Sequence, residues 1–220
     1  MKLSKTAARH LALVLACLVP ALPAAGQTPG SRAEALAALA KSTVAERRRG
    51  AMNLAVVGQM RDVPVLIAAL RDDDEAVREI AEQSVWAVWS RSGDAKVDGL
   101  FKRGLAEMNA DRLDAAVAIF TQVIELKPDF AEGWNKRATA YYLMGQYSRS
   151  LKDCDEVIRL NPRHFGALSG YGQIYLRLSR HDKALDYFRR ALEINPNLDG
   201  VQELIERLEA ERAERLQKTI

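Results

Sequence analysis

Apolar positions recur along most of this chain at the spacing of amphipathic helices. Trp134, Ala138, Tyr141 and Tyr142 share one helical face, Gly145-Gln146 breaks the run, and Leu151, Cys154, Val157 and Ile158 resume it at intervals of three and four. That pattern predicts two helices joined by a tight turn, the second packed back on the first. Pro162 just beyond keeps the second helix from continuing. The same phrase occurs three times, because Pro128, Pro162 and Pro196 stand 34 residues apart and close Ile124-Glu-Leu-Lys-Pro, Ile158-Arg-Leu-Asn-Pro and Leu192-Glu-Ile-Asn-Pro. In that register the eighth residue is small (Gly104, Ala138, Gly172), and so is the twentieth (Ala116, Ser150, Ala184). The twenty-fourth is Phe120, Cys154 or Phe188. Small residues at fixed places mark where two helix axes approach closely. A single hairpin cannot bury its apolar face, so successive units share one continuous core. The expectation is an all-α fold, an α-solenoid with units at 97–130, 131–164 and 165–198.

The flanks read as helical too. Beyond Pro196, Leu198, Val201, Leu204, Ile205 and Leu208 continue at helical spacing, which predicts a C-terminal capping helix within 199–220 that frays toward Ile220. Upstream, Ser31 with Glu34 three residues on predicts a capping box at the start of a first helix in the 27–42 leader. Helices are expected at 44–57, 62–70 and 75–90 within a block at 43–92. Asp62 before Pro64 and Asp73 or Asp74 serve as start signals. Ser and Gly cluster at 90–94, the one boundary the composition marks. Trp86 and Trp89 are expected to pack against the following repeats rather than to stack on a ligand.

The 34-residue units, with Trp134 or Leu at the fourth position and the small and aromatic residues just given, resemble the tetratricopeptide repeat (TPR) family, whose unit is a helix–turn–helix hairpin. The phrase from Pro64 to Ala81, with a fainter echo at Arg48 and Ala51, resembles a HEAT-like repeat of the short bacterial type and implies a small N-terminal stack before the array. The TPR resemblance implies a scaffold that binds a protein or peptide along the concave face lined by the first helix of each hairpin. It places the second, fifth, ninth and twelfth residues there: Asp98, Phe101, Leu105 and Met108, then Glu132, Asn135, Thr139 and Tyr142, then Gly166, Ser169, Gln173 and Leu176. Phe101, Leu105 and Met108 are either apolar anchors for a ligand or core covered by the HEAT-like block. If they are anchors, Asn135 and Gln173 stand where they can hydrogen-bond a ligand backbone. Chaperone-binding relatives clamp a C-terminal carboxylate with Lys, Arg and Asn. Here Phe101, Leu105, Gly166 and Gly170 occupy such places, so that activity is not carried over.

Residues 1–26 change the reading of the charge. Lys2, Lys5 and Arg9 account for the formal net charge of +3, and without them the chain holds 29 residues of each sign, so no nucleic-acid partner is expected. Those cations, the apolar run Leu11–Val19 and the small residues up to Gly26 have the form of a secretory signal peptide cleaved near residue 26, which places the chain in the periplasm or outside the cell. The alternatives are a retained membrane anchor or lipidation at Cys17, since Val14-Leu-Ala-Cys17 loosely resembles a lipoprotein cleavage box. Cys154 occupies a core position of the second unit and reads as a buried thiol. His164 and His181 fall at turns and read as solvated. No metal-ligand spacing, nucleophile motif or phosphate loop is present, so neither metal, cofactor nor catalytic residue is expected. The expected role is a non-enzymatic protein- or peptide-binding scaffold of the cell envelope. The rival is a self-associating or membrane-tethered structural assembly factor.

Overall fold

The computed structural model describes residues 30–218, and every regular element among them is helical. The predicted signal peptide, its cleavage near residue 26, and Cys17 lie outside the described residues. Two compact units are present, one ending at Arg91 and the other beginning at Ser92.

The first unit holds α1 (Arg32–Leu39), α2 (Val44–Val57), α3 (Val63–Ala69) and α4 (Glu75–Trp89). The expected capping box is formed: the Glu34 amide donates to Ser31 Oγ, and the Ser31 amide donates to Glu34 Oε2 at 2.7 Å. α1 crosses α2 at Gly50, where a Cβ would lie 2.3 Å from the Leu39 nitrogen, so only glycine fits. The acidic run after α3 does more than cap. Arg47 reaches both oxygens of Asp72 at 2.7 and 2.8 Å, and Arg48 reaches both of Asp74, which also accepts from the Val77 amide at the start of α4. Asp62 makes no capping bond to α3. Its buried carboxylate instead accepts from Arg32 of α1 and from the Gln59 amide. Trp86 and Trp89 meet edge to face at 5.2 Å.

The second unit is three stacked hairpins, α5/α6 (Ala95–Asn109, Leu113–Leu126), α7/α8 (Ala131–Leu143, Tyr147–Leu160) and α9/α10 (Phe165–Arg177, His181–Ile194). They are followed by α11 (Asp199–Gln217). The chain is therefore all-α, with an α-solenoid of hairpin repeats. The periodic positions explain each hairpin. A Cβ on Gly104 would stand 2.6 Å from the Phe120 ring, and one on Gly172 2.3 Å from the Phe188 ring. Where the partner shrinks to Cys154, alanine is accommodated at 138. The Ser150 hydroxyl donates to the Ala138 carbonyl at 2.7 Å, tying α8 to α7. Each hairpin turn carries one residue in the left-handed region, at equivalent places: Asp111 (φ 58°), Gly145 (φ 71°) and Ser179 (φ 56°). Arg137 of α7 chelates Asp153 of α8 with two bonds of 2.8 Å and donates to Thr121 of α6 at 3.0 Å, so one guanidinium joins two consecutive hairpins. Val201, Ile205 and Leu208 of α11 close the last apolar face against Ala184, Leu185 and Phe188.

Candidate functional site

α5, α7 and α9, the first helices of the three hairpins, carry the twelve residues expected to line the groove, of which Asp98 and Gly166 are half-buried. Seven of them are buried, three almost completely. Phe101, expected either as a ligand anchor or as core under the HEAT-like block, is 2% exposed and packs within its own hairpin: its ring lies 5.8 Å from that of Phe120 and 5.3 Å from that of Phe130, because α5 turns this position toward α6 and the loop into α7. Glu132 and Ser169, also expected to line the groove, are 1% and 0% exposed. Asn135, Thr139, Tyr142 and Gln173 keep 6–8% of their surface, and Leu105, Met108 and Leu176 are half-buried at the margins of the core clusters. Tyr142 is held in place by Arg177, whose Nε donates to its hydroxyl at 3.2 Å across to the next hairpin.

The interior position of Glu132 has a clear cause. One turn along α7, Lys136 places its ammonium 3.1 Å from Glu132 Oε1 and is itself buried. His164 stands at the N-terminus of α9. Its Nδ1 accepts the Ala167 amide at 3.1 Å, so its Nε2 carries the hydrogen and donates to Glu132 Oε2 at 2.9 Å. The Asn135 amide donates to both Glu132 oxygens at 3.1 Å. Burial alone would raise the Glu132 carboxyl. The Lys136 charge, with the bonds from His164 and Asn135, outweighs it and holds the group at about 2. His164 is therefore not solvated, as its place in a turn suggested; it is fully buried and locks the second hairpin to the third. The Glu132/Lys136 pair at i, i+4 was a visible signal. The third member, 32 residues on, follows only from the stacking.

Elsewhere in the unit, burial pushes the Cys154 thiol up, which keeps it protonated and unreactive. Burial and the bond to Asp155 also raise the Tyr171 hydroxyl. Among the described residues no group of three or more His, Cys, Asp or Glu is gathered as metal ligands, and no helix is long and apolar enough to cross a membrane.

A tetratricopeptide-repeat family model matches residues 101–148 and 135–199. A TPR repeat-containing protein of Rhizobium etli is 36% identical over 138 residues, which is 63% of this chain and 67% of that one. The chain belongs to the tetratricopeptide-repeat family. Hsp70-Hsp90 organizing protein 1 of Glycine max is 25% identical over 150 residues, but this TPR chain spans only 25% of its length. Among solved structures, the first TPR of Spaghetti (RPAP3) bound to the HSP90 peptide SRMEEVD overlaps 55% of this chain and 96% of that one, at TM-score 0.52 and 21% identity. The Sgt2 TPR domain from Aspergillus fumigatus overlaps 56% of this chain and 83% of that one, at TM-score 0.53 and 21% identity. At that identity the structural likeness shows the shared TPR fold alone.

Proposed function

We propose that this tetratricopeptide-repeat protein is a non-enzymatic scaffold that holds a peptide segment of a partner protein along the face made by α5, α7 and α9. The observation that carries the reading is the register of that face. Three consecutive hairpins bring Leu105 and Met108, then Asn135, Thr139 and Tyr142, then Gln173 and Leu176 to equivalent places, with apolar margins flanking a polar stretch. Two comparisons support it by analogy: the TPR unit of Spaghetti is bound to an HSP90 peptide, and a relative is named an Hsp70-Hsp90 organizing protein. The finer reading places the chain in the cell envelope. It rests on the cationic, apolar and small-residue sequence of 1–26 and takes 43–92 as a HEAT-like stack.

The test is affinity capture from an envelope extract of the source organism, run with the wild type beside a Met108→Glu/Leu176→Glu variant. Both sites are half-buried, so the variant is expected to keep its helical circular dichroism. A partner held by the wild type and lost by the variant is the expected result. Equal recovery on both would move binding away from this face. Mass spectrometry of the chain recovered from the envelope, with a first residue near 27, checks the location.

A further inference from the structure

The turns of the first and third hairpins carry an arginine at the same place in the 34-residue register, Arg112 and Arg180, but only the first is answered by a carboxylate. Arg112 pairs with Glu107 across its turn. Two units on, the place of Glu107 is taken by Tyr175, and its ring carries the Lys183 ammonium at 5.2 Å, so this corner gains a cation where the first hairpin has an acid. α11 brings two more. Past Leu208 its described side chains are exposed and add nothing to the core, yet the helix runs on beside α10 through Arg189–Glu209 at 2.6 Å, Arg212–Asp182 at 3.7 Å and Arg215–His181. Arg215 Nη2 can only donate, so His181 Nδ1 accepts at 3.2 Å and the ring hydrogen lies on Nε2, a further donor. Between the turn and α11 lies an open pocket of about 700 Å³, lined by four cations, Arg180, Lys183, Arg212 and Arg215, and by one carboxylate, Asp182. Asp182 offsets little of that charge, because its contact with Arg212 is long and both side chains are largely open to water. Glu211 and Glu214 flank the two arginines on α11 but lie outside the lining.

We propose that this corner binds a phosphate group, held between the turn of the third hairpin and the exposed end of α11. Guanidinium forks match phosphate oxygens two at a time, and Arg180, Arg212 and Arg215 supply three of them, with Lys183 as a compact point charge beside them. A carboxylate has two oxygens and one charge. A phosphate offers more oxygens and up to two charges, so it can engage cations from both elements at once. Among these lining residues none belongs to the α5, α7 and α9 face, and the site stands or falls separately from peptide binding there. The end of α11, which closes no apolar surface, then serves to bring Arg212 and Arg215 over the turn.

The experiment titrates the full chain with inorganic pyrophosphate and with acetate by calorimetry at low salt, where exposed charges are least screened. Saturable binding of pyrophosphate and none of acetate is expected. Arg212→Ser/Arg215→Ser should weaken pyrophosphate binding at least about tenfold, the worth of a charged hydrogen bond, and Arg180→Ser on the other element should act in the same direction. These side chains are exposed, so both variants should keep the wild-type circular dichroism. Arg207→Ser removes an exposed cation of α11 outside the pocket and should bind like the wild type. The source of the phosphate is read by sedimentation with phosphatidylcholine vesicles, with and without phosphatidylglycerol. Residues 1–26 are common to all variants, so only the difference between wild type and Arg212→Ser/Arg215→Ser counts. A difference on the phosphatidylglycerol vesicles, abolished by pyrophosphate, assigns the site to a lipid headgroup; binding of pyrophosphate without that difference assigns it to a soluble phosphate compound. Absence of pyrophosphate binding, acetate binding as tightly, or an equal loss in Arg207→Ser would overturn the proposal.

Discussion

Glu132 shows how much one side chain can fix in a repeat array. It sits on α7, the first helix of the second hairpin, with its side chain out of contact with solvent, and its four bonds reach its own helix and the start of the next hairpin. Taking two charges out of water is costly, so such a pair adds little net stability against an apolar substitute. Breaking it is another matter, because the remaining charge stays buried and unpaired. Glu132→Gln is expected to cost roughly 3–5 kcal/mol in denaturant unfolding, and adding Lys136→Met is expected to recover most of that loss. The carboxyl is held at about 2, below its ordinary 4.5, so its contribution is complete above the unfolded value and is lost as pH falls through the folded one. Between about pH 5 and 2 the wild type should therefore lose on the order of 3 kcal/mol more than the double variant, which lacks the group. Equal acid sensitivity of the two proteins would show that Glu132 is not ionised in the fold.

Within a hairpin, the eighth and twenty-fourth positions act as one unit of volume. Glycine faces phenylalanine in the first and third hairpins, and alanine faces cysteine in the second, so the added methyl at the eighth position offsets part of the volume lost at the twenty-fourth. A phenylalanine at 154 would meet the Ala138 methyl where Gly104 and Gly172 leave space. Cys154→Phe alone is expected to cost about 1–3 kcal/mol by overpacking. Ala138→Gly alone should cost about 1 kcal/mol through helix propensity. Together they should cost at least about 1 kcal/mol less than their sum, the signature of direct contact in a double-mutant cycle. Strict additivity would mean that some other neighbour sets the room at this site. The turns of the same hairpins were harder to foresee. Gly145 announces a left-handed turn residue, but Asp111 and Ser179 adopt the same conformation with side chains that give no such sign, and only the 34-residue register links them.

Across the chain, the fold was legible because the repeat writes it three times. The period fixes the hairpins, the prolines end them, and the small positions show where helices touch. What escaped was anything needing a partner from another hairpin: the burial of His164 against Glu132 and the Arg137 tie to Thr121. The expected lining residues were chosen by register alone, which names a helix face but not how deeply its neighbours bury it. The array logic carries further at the C-terminus. Each hairpin gives its outer apolar face to the next, so the last needs a cover, and Val201, Ile205 and Leu208 supply it at 0, 6 and 1% exposure. Past Leu208 the described side chains are exposed, and the Arg189–Glu209 pair lies at the surface, where such pairs are worth about 0–1 kcal/mol. A chain ending at Glu209 should thus melt within a few degrees of the full one. A chain ending at Asn197 uncovers Phe188 and loses three buried side chains worth about 1.5–3 kcal/mol each, so it should be destabilised by several kcal/mol and tend to associate through the bared face. If both truncations melt alike, α11 is an appendage and the α9/α10 hairpin closes the array unaided.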